Sequence, residues 1–216
     1  MTKATINDLI NAWQQEEQQP FIGWDFSYLD GRMHEASEPW SYLARAATLM
    51  GKATALLDMG TGGGERLLTM RAHWPTKVTV TEEYPPNIGL AQERLTPLGV
   101  QVVVAELGHT CPLPFADGEF DLGINRHSGM NVDEVARVLS PGGRFLTQQI
   151  HGLYADDLLA AFGVTPKWPE SKPAFYLPWL ERAGLTVTMV EDWSGPLVFT
   201  DVGAIVYYLK AVPWMV

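Results

Sequence analysis

The stretch from Thr54 to Glu65, Thr-Ala-Leu-Leu-Asp-Met-Gly-Thr-Gly-Gly-Gly-Glu, constrains the fold more than any other part of the chain. The run Ala55–Leu57 is short and apolar, which is typical of a strand that a parallel sheet buries on both faces. Asp58 ends this run, and the glycines that follow allow a tight turn with positive φ. A helix is predicted over residues 65–72. Its unpaired N–H groups face the turn, which predicts a site for an anionic or carboxylate-bearing ligand.

The spacing of the glycines separates two classes of cofactor site. The dinucleotide fingerprint G-x-G-x-x-G requires a third glycine where Glu65 stands, which disfavours a nicotinamide dehydrogenase. The sequence instead reads D-x-G-T-G-x-G, which resembles motif I of class I S-adenosylmethionine (SAM)-dependent methyltransferases. In that family the glycines pass under the methionine part of SAM, and the acid lies close to its charged end. The resemblance implies cofactor contacts from Asp58, Gly60, Thr61, Gly62 and Gly64. Taken alone, the motif is also compatible with a plain strand-to-helix turn.

A second acidic position follows the next predicted strand, Val78–Thr81. A right-handed βαβ unit brings the ends of both strands to the same edge of the sheet. An acid about 20 residues beyond the glycines is where a ribose is bound through its hydroxyls. Aligning Leu90–Arg94 with the usual methyltransferase helix assigns this role to Glu82. Glu83 fits better as an acid at a helix N-terminus.

Three further stretches extend the resemblance. Val100–Ala105 is the third predicted strand, and the resemblance places Glu106 and Leu107 at the adenine. Leu-Pro-Phe-Ala-Asp-Gly-Glu-Phe-Asp, starting at residue 113, resembles the family pattern that leads into the fourth strand, residues 122–125. Leu-Ser-Pro-Gly-Gly-Arg-Phe-Leu, starting at residue 139, resembles the turn that enters the fifth strand, which is predicted to run through residue 150.

Polar side chains follow the fourth strand, near which the transferable methyl group lies in the resembled family. His127 is the best-placed general base in the chain, because an imidazole can be neutral at physiological pH. The alternative is a packed or hydrogen-bonded loop histidine, because methyl transfer often needs positioning more than a base. Asn125 is predicted to contact the cofactor. Arg126 and His151 are candidate substrate contacts, because ligands of open α/β sheets bind outside the carboxyl ends of the strands.

The segment 21–28 is rich in aromatic residues. Trp24 and Tyr28 could line a pocket over the cofactor and contact the substrate. The alternative is that they pack the N-terminal segment onto the sheet, since aromatic side chains dominate core burial.

These patterns predict an α/β fold with a Rossmann-like, seven-stranded, mostly parallel sheet and helices on both faces. With strands numbered as predicted, the order is 3-2-1-4-5-7-6, and the last strand is antiparallel. Leu185–Val190 and Val202–Leu209 are predicted as the sixth and seventh strands. A single domain over residues 1–216 is expected, with a helical cap over 1–52, including a helix at 4–19, and a core over 53–216.

Composition excludes several function classes. A net charge of −10 disfavours binding of bare nucleic acid, which depends on Lys and Arg. A single cysteine, Cys111, rules out a disulfide framework and a cysteine zinc site within one chain, and no metal is expected. The first residues lack the apolar core of a signal peptide, and no apolar run approaches a membrane span. A cytoplasmic monomer or homodimer is therefore expected.

The resemblance implies a SAM-dependent methyltransferase that acts by direct displacement. The acidic chain and the aromatic segment favour a small-molecule acceptor, with RNA as the second possibility. No N/D-P-P-Y/F motif follows the fourth strand, which disfavours an amino-nitrogen methyltransferase of bases or glutamine. A protein that binds SAM without methylating, such as a sensor or an interaction module, remains the alternative from another class.

Overall fold

The structure is a computed structural model that describes residues 5–213 and 215. Its strands are β1 Met33–Glu35, β2 Ala55–Met59, β3 Lys77–Glu82, β4 Gln101–Val104, β5 Phe120–Arg126, β6 Leu139–Gln148 and β7 Leu197–Phe199. Its α-helices are α1 Ile6–Glu17, α2 Tyr42–Met50, α3 Glu65–Thr69, α4 Pro85–Leu95, α5 Val132–Val138, α6 Asp156–Ala161, α7 Pro173–Arg182 and α8 Val202–Ala211. Short 3-10 helices occur at Ser27–Leu29, Arg71–His73 and Thr96–Leu98.

Contacts divide the chain into two compact units. The sheet unit comprises residues 40–151 and 170–192, and the terminal unit comprises the described residues of 1–39, 152–169 and 193–216. This division does not test the predicted single domain with a helical cap over 1–52, which stays a prediction.

The sheet unit is built on five parallel strands in the order β4-β3-β2-β5-β6. Leu57 of β2 pairs with Thr79 of β3 on one side and with Gly123 of β5 on the other. After β2 the chain continues to β3 and β4 on one side of the sheet, and after β5 it continues to β6 on the other side. The strand order therefore reverses between β2 and β5. Ligands of open α/β sheets bind in the crevice outside the carboxyl ends of the strands at such a point.

Both faces of the sheet are buried, as the apolar run of β2 predicts. Successive strand residues point to opposite faces, so Leu56 and Leu57 enter different cores. One core packs α2 and α4 onto the sheet through Ala46, Met50, Leu56, Val80, Ala91, Leu95 and Ile124. The other packs α5 and α7 onto it through Leu57, Met59, Val135, Val138, Trp179 and Leu180. The parallel α/β class is therefore confirmed.

The prediction of seven strands in one sheet is wrong. Residues 202–211 form helix α8, and the sheet that contains β2 has five strands among the described residues. The side chain of Asp201 accepts a hydrogen bond from the N–H of Ala204 and caps this helix. Its buried residues recur with the period of a helix: Ala204, Tyr207, Tyr208 and Ala211. Burial on this stripe therefore outweighs the strand preference of the β-branched and aromatic residues.

The predicted sixth strand is also wrong, because Leu185–Val190 has neither helical nor strand structure. The ends of this segment are tied to helices. The N–H of Leu185 donates to the carbonyl of Leu180, and Glu191, one residue beyond the segment, pairs with Arg45 of α2.

The terminal unit has its own small core. Helix α1 packs against α8, and β1 pairs antiparallel with β7. Leu29, Ala204 and Tyr207 are buried between these elements. The guanidinium of Arg32 binds both Glu16 of α1, at 2.8 Å, and Asp201, at 2.7 Å. The predicted N-terminal helix is confirmed over Ile6–Glu17, and residue 4, where it was expected to begin, lies outside the described residues.

Candidate functional site

The turn after β2 is shaped by three alternating glycines. Gly60, Gly62 and Gly64 have φ values of +74°, +65° and +83°. L-residues with a Cβ rarely adopt this left-handed conformation, so the D-x-G-T-G-x-G spacing follows from the path of the backbone. The N–H groups of Gly60 and Thr61 both donate to the carbonyl of Thr81 at the end of β3, at 3.1 and 3.0 Å. The turn is thereby fixed across two neighbouring strand ends.

Two loops approach this turn closely at Gly60. A Cβ atom added there would lie 2.4 Å from Oγ of Ser128, in the loop after β5. It would also lie 3.3 Å from Leu107, in the loop after β4. The absence of a side chain at Gly60 is therefore what allows the loops after β2, β4 and β5 to meet at the carboxyl edge of the sheet.

Asp58 stands at the end of β2, and its carboxylate accepts a hydrogen bond from the hydroxyl of Thr61 at 2.8 Å. Burial raises the pKa of Asp58 to about 6, the Thr61 hydrogen bond lowers it in part, and the negative charge of Glu82 raises it further. A carboxylate in this half-buried position, with the Thr61 hydroxyl as its donor among the described residues, is stabilised by a cationic partner. This position therefore suits the ammonium group of a bound amino acid.

Glu82 stands at the end of β3 and is 5% exposed. Its carboxylate accepts three backbone N–H groups, from Gly62 at 2.7 Å, from Glu83 at 2.9 Å and from Tyr84 at 2.8 Å. Burial raises the pKa of Glu82, and these three hydrogen bonds oppose that shift. A carboxylate offers about four acceptor sites, so one remains for a ligand hydroxyl such as that of a ribose.

The loop after β4 is held by the neighbouring acid. The carboxylate of Glu83 accepts a hydrogen bond from the N–H of Leu107 at 2.8 Å. Glu106 is exposed on the same loop. Glu83 therefore links the strand end that carries Glu82 to the loop predicted to contact the adenine.

Asn125 stands at the end of β5 and is fully buried. Its amide nitrogen donates to the carbonyls of Met59 and Gly129, at 3.3 and 3.5 Å, and its oxygen accepts from Thr147 and Gln149. These hydrogen bonds use both the donor and the acceptor atom of the side-chain amide, and they link β5 to β2 and β6. The predicted cofactor contact of Asn125 stays a prediction.

His127 follows β5 in a left-handed conformation, with φ of +57°. Its N–H donates to the carbonyl of Gln148, and its Nε2 lies 3.4 Å from the side-chain nitrogen of the same residue. Desolvation by neighbouring groups lowers the pKa of His127, and the positive charges of Arg126 and Arg66 lower it further, although the residue is exposed at the protein surface. The imidazole is therefore neutral at physiological pH, although a lowered pKa also makes it a weak base.

The remaining substrate candidates lie in different parts of the chain. Trp24 and Tyr28 belong to the terminal unit, where Trp24 stacks on Phe26 and the ring of Tyr28 lies 4.6 Å from that of Tyr207. These contacts pack aromatic residues of that unit against one another. His151 follows β6 in the sheet unit. Substrate roles for these residues stay predictions.

Three neighbours of the site escape the sequence patterns. Arg66 on α3 adds positive charge near His127. Trp40 donates its indole N–H to Gln148 at 3.1 Å, which orients the amide beside that histidine. Tyr42 on α2 is buried near Asp58 and Arg126. The buried positions of α2 recur every four residues, at Tyr42, Ala46 and Met50. This spacing is the sequence pattern from which the burial of Tyr42 could have been predicted.

Across residues 5–213, no group of three or more His, Cys, Asp or Glu side chains could hold a metal ion. Over the same residues, none of the helices has the length and apolar character that a membrane crossing requires.

The family model for a methyltransferase domain matches residues 57–147, which run from within β2 to within β6 and include the whole glycine turn. No curated protein matches the sequence. The predicted resemblance to class I SAM-dependent methyltransferases is confirmed for this part of the chain by the family match and by the structural similarities that follow.

Solved structures share the fold at low sequence identity. A SAM-dependent methyltransferase from Mesorhizobium loti is 19% identical with a TM-score of 0.55, over 79% of this chain and 90% of that chain. A candidate sarcosine dimethylglycine methyltransferase from Galdieria sulphuraria is 16% identical with a TM-score of 0.51, over 66% of this chain and 59% of that one. A candidate methyltransferase from Bacillus halodurans is 23% identical with a TM-score of 0.50, over 66% of each chain. The match thus spans less than two thirds of the Galdieria protein.

Proposed function

We propose that the methyltransferase domain matched over residues 57–147 binds SAM and transfers its methyl group to a small-molecule acceptor. The observation that carries this proposal is the turn of three left-handed glycines between two acids, half-buried Asp58 and buried Glu82, at the ends of neighbouring parallel strands. An ammonium group, a ribose and a flat base, arranged in one extended ligand, fit the residues that this edge presents.

Each residue has a separate task in this proposal. Asp58 holds the ammonium group of the cofactor, and the remaining acceptor site of Glu82 holds a ribose hydroxyl. The glycine turn supports the chain between these two points. The loop with Glu106 and Leu107 lies beside the base.

The bound cofactor would supply an activated methyl group for in-line displacement by a nucleophile of the acceptor. The protein then contributes orientation and exclusion of water. His127 is placed to accept a hydrogen bond from the acceptor through a neutral imidazole. Because its pKa is lowered, its contribution is orientation of the acceptor more than removal of a proton.

A protein that binds SAM without transferring methyl is the second candidate. The lowered pKa of His127 is compatible with it, because this histidine, among the described residues that follow β5, is then a weak base. The two functions differ in one measurement: turnover of SAM to S-adenosylhomocysteine in the presence of acceptors.

Thermal unfolding with SAM, S-adenosylhomocysteine or NAD, each added separately, tests the cofactor. A ligand at 100 times its Kd stabilises a protein by about 2.7 kcal/mol, which for a chain of this size raises Tm by about 5–10 °C. We expect such a rise with both sulfur ligands and none with NAD. A folded sample that responds to neither sulfur ligand would contradict the proposal.

A pair of glycine variants controls for backbone strain. Gly62→Ala places a Cβ in the left-handed turn, whereas Gly99→Ala does so at φ of +84° with no atom within 4 Å and outside the turn. Both variants should lose about 1–2 kcal/mol of stability from strain. Only Gly62→Ala should lose the shift caused by S-adenosylhomocysteine, and equal shifts in both variants would place the ligand elsewhere.

A further inference from the structure

The hydroxyl of Tyr42 is buried in the sheet unit, and the described residues offer no acceptor for its proton. Tyr42 is the first residue of α2, directly after the N-cap Ser41, and it is 9% exposed. Its ring packs in the same core as Leu56 and Ile124. Protein interiors rarely leave a buried hydroxyl unpaired, because its lost hydration is then not replaced.

The surroundings of this hydroxyl place it at the crevice. The charged groups that act on it are the carboxylate of Asp58 and the guanidinium of Arg126, and the backbone N–H of Asn125 is close enough to act as a donor toward its oxygen. These three residues stand at the carboxyl ends of β2 and β5, the two strands between which the strand order reverses. Helix α2 thus presents a polar group at the ligand-binding point of the sheet.

The protonation of Tyr42 is fixed by the same neighbours. Burial raises the pKa of its phenol, the negative charge of Asp58 raises it further, and Arg126 opposes this only in part. The phenol therefore keeps its proton at physiological pH and is available as a donor. What it lacks is an acceptor, which a ligand would have to bring.

The neighbouring charges define that acceptor. Asp58 suits an ammonium group, and a carboxylate next to this ammonium would enter the region between Asp58 and Arg126. An α-amino acid carries both groups on one carbon atom. Its carboxylate oxygens accept hydrogen bonds, and a charged acceptor makes the stronger bond with a phenol.

We propose that the hydroxyl of Tyr42 donates a hydrogen bond to the α-carboxylate at the amino-acid end of SAM, while Asp58 holds the ammonium group of the same end. This inference rests on the proposed function and adds a residue from α2 to the site. Tyr42 is then a binding residue that selects a cofactor with an intact amino-acid end.

The chain offers a matched control in Thr79. Its hydroxyl is the other buried side-chain oxygen for which the described residues provide no partner. Thr79 lies in the middle of β3, is fully buried and pairs with Leu57 and Gln101 on the neighbouring strands. Thr79 lies away from the carboxyl edge of the sheet. Removing its hydroxyl therefore shows the effect of an unpaired buried group on stability, with no effect on ligand contacts.

The test compares Tyr42→Phe and Thr79→Val with the unmodified chain. Both changes remove an unpaired buried hydroxyl at nearly constant shape, so both should raise the Tm of the ligand-free protein. Calorimetric titration then measures binding of S-adenosylhomocysteine and of 5′-methylthioadenosine, which lacks the amino-acid end. Tyr42→Phe should weaken S-adenosylhomocysteine about tenfold or more and leave 5′-methylthioadenosine unchanged. Thr79→Val should change neither affinity.

The outcomes separate the two proposals. Unchanged affinity for S-adenosylhomocysteine in Tyr42→Phe overturns the role of Tyr42 and leaves the SAM site intact. An equal loss for both ligands also overturns it, because the contact would then lie away from the carboxylate. If the unmodified chain binds neither ligand, the proposed function fails and the role of Tyr42 fails with it.

Discussion

Asp58 and Glu82 occupy equivalent places at the ends of neighbouring strands, but they meet different numbers of donors. Three backbone N–H groups donate to Glu82, whereas the hydroxyl of Thr61 is the donor to Asp58 among the described residues. The carboxylate with fewer donors has the greater need of a cation, which assigns the ammonium to Asp58. For each of these carboxylates, the hydrogen bonds that the protein already makes determine which group of a ligand it can still bind.

The raised pKa of Asp58 predicts a pH dependence of stability. Between its ordinary value of 3.8 and about 6, the folded protein holds a proton on Asp58 that the unfolded chain releases. The free energy of unfolding therefore falls as pH rises through this window, by at most about 3 kcal/mol. Asp58→Asn should remove this fall in urea unfolding measured from pH 4 to 7. The same pH dependence in the variant would contradict the assignment.

Ligand affinity should show the opposite dependence. A cation binds the deprotonated form of Asp58, so the Kd of S-adenosylhomocysteine should decrease as pH rises through about 6 and then level off. Titration calorimetry at several pH values measures this, with Asp58→Asn as the variant whose affinity is weak at every pH. An affinity that is independent of pH from 5 to 7 would count against an ammonium partner.

His127 should affect the rate of methyl transfer, but its ionisation should not appear in the pH profile of that rate. Its lowered pKa predicts no inflection near pH 6.5 in kcat/KM once an acceptor is identified. His127→Asn, a residue that tolerates the left-handed conformation, should lower kcat/KM by less than about 100-fold, because the lost effect is orientation. His73→Asn, at an exposed histidine in a 3-10 helix, should leave the rate unchanged. An inflection that disappears in His127→Asn would show general-base catalysis instead.

At the scale of elements, a side chain at the start of β5 positions the site by holding two strands in register. The carboxylate of Asp121 accepts hydrogen bonds from the N–H groups of Thr54 and Ala55 and from the hydroxyl of Thr54. Burial alone would raise the pKa of Asp121, but these hydrogen bonds outweigh it and the pKa is lowered. The pairing of β2 with β5, and hence the crevice at their far ends, depends on this contact.

Loss of this contact should be measurable as stability. Asp121→Ala leaves two backbone N–H groups without their partner, which predicts a loss of about 1–3 kcal/mol. Asp117→Ala is the matched control, because its side chain is 81% exposed and its ion pair with Arg137 is worth at most about 1 kcal/mol. Chemical denaturation measures the free energy of unfolding of both variants. Equal losses of this free energy would mean that Asp121 does not link the strands.

Helix α8 shows how an element can be misread from composition. Val, Ile and Tyr residues indicate a strand, but Asp201 caps a helix, and the buried stripe Ala204, Tyr207, Tyr208 and Ala211 has helical spacing. In α2, Tyr42 is likewise buried although Ala44, two residues further on, is exposed. In both helices the contacting elements decide which face is covered.

For the whole molecule, charge is the property with the clearest consequence. The chain carries a net charge of −10, and phosphate contacts require Lys and Arg in number. This supports a small-molecule acceptor over RNA. The low identities to solved methyltransferases, 16–23% for the three described, establish a shared fold and leave the acceptor to experiment.

The charge predicts no binding to RNA at about 0.15 M salt. A mixed-sequence RNA titrated into the labelled protein should give no change in fluorescence anisotropy under these conditions. Binding that weakens steeply with added salt would reveal a local basic surface and would bring RNA forward as the acceptor.

Local sequence patterns were enough to predict the strand–turn–helix unit, the role of the glycine spacing and the acids at the two strand ends. These follow from local rules, because burial on both faces, positive φ and chain direction each act within a short stretch. The tertiary structure decided which side chains are already satisfied. Asn125 is bound by residues from three other segments, Tyr42 is left unpaired beside Asp58, and α8 replaces a strand. Hydrogen-bond satisfaction and burial depend on neighbours distant in the chain, and no local pattern specifies them.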